Sequence, residues 1–170
     1  EDAANAFLPV TGRLNHIRFP DQSRNDSALR SGDMISSYYD PMIAKVIVHG
    51  RDREEALSKL SLSLRQTELA GSKTNLGFLI SMVEHPDFHA MHVDTKWIDR
   101  NVDILTKSSE ISHSVLLSAA LAILGKDAGQ HDFAGFHLWT PMTQTLSLSR
   151  AGQAIDLSLS MAPNNVTVLQ

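Results

Sequence analysis

Met42-Ile43-Ala44-Lys45-Val46-Ile47-Val48, followed after His49 by Gly50-Arg51-Asp52-Arg53-Glu54-Glu55-Ala56-Leu57, is the stretch on which the architecture of this chain turns. The first run is dense in β-branched residues and is closed by a glycine, which reads as a strand. Only Lys45 interrupts its apolar character. Both faces are therefore expected to be covered, with the Lys45 ammonium sent to water or to a carboxylate such as Asp40. The second run opens a helix. Asp52 can cap the free amides at its start, and Glu55 stands three residues on, where a capping-box acid belongs. Leu57, Leu60 and Leu64 recur at i, i+3 and i+7 and give the helix a buried side, and Ala70-Gly71 is expected to end it.

Upstream, residues 1–37 are punctuated by Pro9, Gly12, Pro20, Asp21, Asn25, Asp26, Gly32 and Asp33. Leu14, Ile17 and Phe19 fit neither period cleanly, so short strands and connections are expected there. Downstream, a second helix should open near Thr74, carry Leu76, Leu79, Ile80 and Val83, and stop before Pro86. A third, over 94–100, has Asp94 as cap, with Trp97 and Ile98 packing inward. The small and charged residues of 107–112 mark a boundary. Residues 115–124 then hold a single polar side chain, Ser118, so that helix should be surrounded on nearly every side. Strands are expected over 136–139, 143–149, 155–160 and 166–169, with a hairpin turn at Arg150-Ala151-Gly152-Gln153. The fold class is α+β: antiparallel strands with packed helices over 1–106, then a helix wrapped by antiparallel β-strands over 107–170.

Composition narrows the chemistry. The chain has 170 residues, 42% hydrophobic and 20% charged, as a globular protein should. Its 15 Lys and Arg against 19 Asp and Glu give a net charge of -4, which argues against a general grip on nucleic acid. There is no cysteine, so disulfides, thiolate nucleophiles and thiolate-bound metals are excluded. No apolar run approaches the roughly 20 residues of a membrane span. A start of Glu-Asp-Ala-Ala, without Met, is expected of an internal piece of something longer. His85, His89 and His92 have the spacing of a zinc-binding helix face, but Pro86 breaks the helix that would align them, and they read as loop and surface residues. The nine glycines form no phosphate-cradling loop, and no nucleophile elbow frames any serine. What resists a bland reading is Arg24 together with Tyr38-Tyr39-Asp40-Pro41-Met42-Ile43-Ala44-Lys45, where aromatics, a carboxylate and a lysine crowd into eight residues. Their mutual structural satisfaction is the plain alternative to a site.

These residues carry a resemblance. Glu1-Asp2-Ala3-Ala4-Asn5-Ala6-Phe7-Leu8-Pro9 with Gly12, Gly32-Asp33, Tyr39-Asp40-Pro41-Met42-Ile43-Ala44-Lys45, the Gly50 to Leu57 helix start, Lys73-Thr74-Asn75, and His85-Pro86-Asp87-Phe88 with Val93-Asp94-Thr95 all follow in the order of the biotin carboxylase family. The chain resembles the C-terminal part of that domain, most of all in acyl-CoA carboxylase α subunits of the 3-methylcrotonyl-CoA type, with the propionyl-CoA and geranyl-CoA types as runners-up. Residues 107–170 resemble, by layout alone, the start of the domain that links biotin carboxylase to the biotin carrier. The resemblance implies ATP- and bicarbonate-dependent carboxylation of biotin. It places biotin on a carrier domain outside this segment and ATP and Mg2+ on an upstream part. The implied partners are that carrier domain, the carboxyltransferase β subunit and the rest of the α subunit, in a bacterial cytoplasm or the mitochondrial matrix, with no nucleic acid and no membrane. Sixteen residues before Asp40, the family's active-site arginine falls on Arg24. A guanidinium suits that role because it is always charged and holds planar oxyanions through paired N–H donors. Tyr39, Asp40 and Lys45 are implied as its supporting shell, and no residue is implied as a metal ligand. Two departures stand out: Ala3 replaces the usual proline, and Ala70 stands where some bacterial relatives carry an aspartate. The rival readings are a structural module for subunit assembly and a zinc-dependent hydrolase built on the histidines.

Overall fold

The computed structural model describes residues 1–107, 111–124, 142–150, 153–162 and 165–169. In chain order these form β1 (Gly12–Arg13), β2 (His16–Arg18), β3 (Arg24–Asp26), β4 (Met34–Ile35), β5 (Lys45–Ile47), α1 (Arg53–Gln66), β6 (Glu68–Ala70), α2 (Leu76–Val83), α3 (Pro86–His89), α4 (Trp97–Leu105), α5 (His113–Ile123), β7 (Met142–Arg150), β8 (Gln153–Ala162) and β9 (Asn165–Leu169). They divide into two compact units, Glu1–Ser108 and Ser109–Gln170.

In the first unit the turn-rich opening becomes three antiparallel ladders of two short strands each. β1 pairs β4 with Gly12 opposite Ile35, β2 pairs β6 with Ile17 opposite Leu69, and β3 pairs β5 with Asn25 opposite Val46. β5 is shorter than the apolar run suggests and, among the described residues, is not covered on both faces. Val46 packs toward the α1 and α2 core, while Lys45 and Ile47 are exposed. The reason is the strand's period: with helices on one side only, alternate residues face out.

The start of α1 follows its sequence signal, with one shift. Asp52 Oδ1 accepts the Glu55 amide at 2.8 Å. Glu55 does not return the bond to Asp52 but reaches one residue further, accepting the Arg51 amide at 2.7 Å. The end of α1 departs from expectation. The helix stops at Gln66, because Thr67 turns extended (φ -74°, ψ 125°) and its hydroxyl donates to the Ser63 carbonyl at 2.9 Å. The chain then enters β6 beside β2 instead of coiling on to Ala70. Gly71 serves a different purpose: at φ +107° it passes so close to the chain that a Cβ would lie 2.2 Å from the Arg13 carbonyl oxygen.

Two clusters fill this unit. Leu57, Leu64 and Val83 pack with Val46, Leu60, Leu76 and Ile80, and Ala3, Phe78, Trp97 and Leu105 pack with Phe7 and Met82. Leu79 touches both. Trp97 is buried and its Nε1 donates to Asp87 at 3.1 Å. Ile98 is exposed, contrary to the inward packing expected of it. The buried side of α4 is set by Trp97 and Leu105, two turns apart, and the residue after Trp97 lies about 100° around the helix. Asp94 lies before α4, its Oδ1 accepting the Lys96 amide at 2.9 Å.

In the second unit α5 lies against an antiparallel sheet of order β7-β8-β9. The β7–β8 register closes at Arg150 opposite Gln153. Ala120, Leu157 and Leu159 are buried, with Leu116, Leu117, Leu146, Leu148 and Ile155 packed around them. Among the described residues β7 and β8 cover the Ala120 side of α5, and Val115 and Ile123 are exposed. The strand expected over 136–139 lies outside the described residues.

Candidate functional site

β3 is anchored through Asn25, whose side-chain amide donates to the carbonyls of Pro20 at 3.1 Å and Ser23 at 2.9 Å. With Asn25 facing inward, the strand's period turns Arg24 and Asp26 to the opposite side. There they form a fork: Arg24 Nε donates to Asp26 Oδ1 and Nη2 to Oδ2, both at 2.9 Å. This bond raises the guanidinium above its ordinary pKa and holds the Asp26 carboxyl below the usual range. Lys45, opposite Asp26 on β5, adds to the lowering of Asp26.

Arg24 lines an open groove of about 760 Å³ whose other walls are Gln22, Ile47, Val48, His49, Lys59 and Leu62. Lys59 is tethered: its Nζ donates to the His49 carbonyl at 3.0 Å and pairs with Glu55 at 3.1 Å. Arg51, Lys59 and the Arg51 amide together bring the Glu55 carboxyl down to about 2, the backbone amide contributing most. Ile47 and Leu62 give the groove an apolar wall, about half exposed. Of a guanidinium's five N–H donors, Asp26 engages one on Nε and one on Nη2. Among the described residues, Nη1 and the second Nη2 hydrogen remain for a guest. A fixed cation beside apolar surface suits a flat, partly apolar molecule with one oxygen that accepts hydrogen bonds.

The structure brings together only part of the implied shell. Lys45 lies beside Arg24 through Asp26. Asp40 instead accepts the Met42 amide at 2.8 Å in a local turn and lines a second, largely apolar cavity of about 340 Å³ with Phe19, Pro41, Val46 and Leu76. Tyr39 is 83% exposed and makes no hydrogen bond to Arg24, Asp26 or Lys45. Asp26 and Lys59 are the additions that sequence reasoning missed. Asp26 was visible as a carboxylate two residues along the same strand; Lys59 reaches the groove only through tertiary packing. Among the described residues no group of three His, Asp or Glu side chains is placed to hold a metal ion. His85 accepts the Asp87 amide through Nδ1 at 3.2 Å and stands edge-on to Trp97.

An α+β unit with an arginine-lined groove is the class of protein that geometry defines, and comparison with known proteins supplies the family. The model of the biotin carboxylase C-terminal domain matches residues 1–100, and the chain belongs to that family. The mouse mitochondrial methylcrotonoyl-CoA carboxylase subunit alpha is 38% identical over 131 residues, which are 75% of this chain and 18% of that protein. The urea amidolyase of Saccharomyces cerevisiae is 40% identical over 95 residues, 56% of this chain and 5% of that protein. Among solved structures, the biotin carboxylase domain of Hydrogenobacter thermophilus 2-oxoglutarate carboxylase, solved with MgADP, ADP and bicarbonate, aligns with a TM-score of 0.62 at 28% identity. That alignment covers 65% of this chain and 24% of the structure. The chain thus spans less than a quarter of the length of each of these relatives.

Proposed function

We propose that this chain is the C-terminal part of the biotin carboxylase portion of an acyl-CoA carboxylase α subunit of the methylcrotonyl-CoA type, with residues 107–170 beginning the linking domain. The whole subunit then carboxylates biotin at the expense of ATP and bicarbonate. The observation that carries this reading is Arg24 at the wall of an open groove, oriented by a carboxylate and with donors to spare. It is supported by the methylcrotonoyl-CoA carboxylase relative at 38% identity. The urea amidolyase likeness does not favour one acceptor, and in this reading that choice falls to a partner carboxyltransferase subunit.

The residues fit biotin's ureido ring: a charged donor edge adjoins an apolar wall in a groove wide enough for a small bicycle. Biotin, brought by its carrier domain, supplies the N1′ atom that accepts the carboxyl group. Arg24 donates to the oxygen on which negative charge grows, and as a preorganised cation it needs no rearrangement to do so. Ile47 and Leu62 exclude water from one side of that contact. Among the described residues no group of three His, Asp or Glu side chains is placed to hold a metal ion, and the sequence has no phosphate-cradling glycine loop, so the residues present do not fit ATP and Mg2+ as a site of their own. Both are assigned to the portion of the subunit that precedes this segment, and the reading places the enzyme in a bacterial cytoplasm or the mitochondrial matrix.

Arg24→Ala in the full-length subunit tests the reading. Loss of one such donor should lower biotin carboxylation about 10²- to 10³-fold with subunit assembly intact. Unchanged turnover would leave the segment with a structural role only.

A further inference from the structure

We propose that Asp26 is a positioning residue for Arg24: it fixes the plane of the guanidinium so that the Nη1 edge is presented to the groove. The proposal rests on the reading of Arg24 as a catalytic residue and goes beyond it by naming what orients that group.

Arg24 enters the groove from a strand beside solvent, and its side chain is 73% exposed. A long side chain in that setting samples many rotamers, and a catalytic donor must sit within a fraction of an ångström of its place. Among the described residues no buried apolar side chain packs it into one rotamer: Ile47 and Leu62, which line the groove with it, are themselves about half exposed. The Asp26 fork supplies the missing constraint. Two parallel bonds of 2.9 Å fix the guanidinium's plane as well as its position, which a single bond would not do.

The fork is itself held at its base. Asn25 locks the strand from behind through the Pro20 and Ser23 carbonyls, so the i and i+2 side chains share one face and one spacing. Lys45 stands in register with Asp26 on the paired strand and adds to the lowering of its carboxyl. Asp26 also engages only the Nε side of the guanidinium, which leaves the opposite edge unobstructed. The carboxylate therefore orients the cation without occupying its working face. A purely neutralising partner has the opposite signature, because its removal would strengthen the attraction of Arg24 for an oxyanion and raise turnover.

The experiment is a double-mutant cycle on biotin carboxylation by the full-length subunit. Asp26→Ala should lower kcat on the order of 10- to 100-fold, leave KM for ATP unchanged, and be largely rescued by Asp26→Glu, which keeps both oxygens. In the Arg24→Ala background the same substitution should have no further effect. The near-isosteric Asp26→Asn serves where the alanine variant fails to fold, and should show the same kcat loss to a smaller degree. Equal losses in the two backgrounds, or unchanged or raised turnover of Asp26→Ala while Arg24→Ala is impaired, would overturn the positioning role and leave Arg24 catalytic. Full activity of Arg24→Ala would overturn both.

Discussion

Glu68 shows how much a single exposed side chain can be asked to do in this domain. Its carboxylate takes the Arg18 guanidinium and also His16 at 2.8 Å, both from the strand beside it. Those hydrogen bonds, Arg18 first and His16 second, bring its pKa from 4.5 to about 2. A carboxyl whose folded pKa is depressed stabilises the fold above its unfolded value and loses that contribution as pH falls through the folded one. The Tm difference between the chain and its Glu68→Gln variant should therefore be full at neutral pH and close between pH 4.5 and about 2. A difference that is constant across that window contradicts the pairing. At Gly71 the constraint is steric. An added Cβ meets the Arg13 carbonyl oxygen at 2.2 Å and the Asn15 amide at 2.6 Å, at φ +107°. Gly71→Ala should cost about 1–3 kcal/mol or more in urea unfolding, where a freely tolerated alanine would stabilise. At this scale the motif gives the position of Arg24 relative to Asp40, and the structure sets Arg24 at the wall of a groove. The surroundings of Asp40 and Tyr39 were not legible. Asp40 closes a local turn with Met42, and Tyr39 stands in solvent. Proximity along the chain does not report which way a loop side chain faces.

Among the elements, helix starts were easier to read than helix ends. The Asp52 cap is a local signal, satisfied by a local amide at 2.8 Å. Asp52→Ala should cost about 1 kcal/mol of stability, visible as a shifted urea midpoint with an unchanged slope. Leu64→Ala, in the core between α1 and α2, should cost more, about 2–5 kcal/mol. If the cap proved the costlier of the two, the helix would owe little to its buried face. The end of α1 at Gln66 was not legible, because its cause is distant in sequence: Glu68, Leu69 and Ala70 pair with Arg18, Ile17 and His16. A strand partner fifty residues away outweighs the local preference of Glu-Leu-Ala for helix. β5, whose apolar run predicted cover on both faces, depends likewise on tertiary packing, since α1 and α2 cover only its Val46 side. In the second unit, the alternation of Leu146 and Leu148 with Ile155, Leu157 and Leu159 did forecast the hairpin and its inner face, since period two is a property of the strand itself.

On the scale of the whole molecule, the proposed reading gives the segment one side of a reaction and places its other requirements elsewhere in the subunit. The segment itself holds a cation paired with a carboxylate beside an apolar wall. The chain by itself should show no biotin-dependent ATP cleavage above background, and measurable cleavage would contradict this division of labour. The most direct test is the rate of biotin carboxylation by the full-length subunit carrying Arg24→Ala, measured alongside its assembly state. The account predicts a fall of about 10²- to 10³-fold with assembly unchanged. Wild-type turnover from that variant would contradict it.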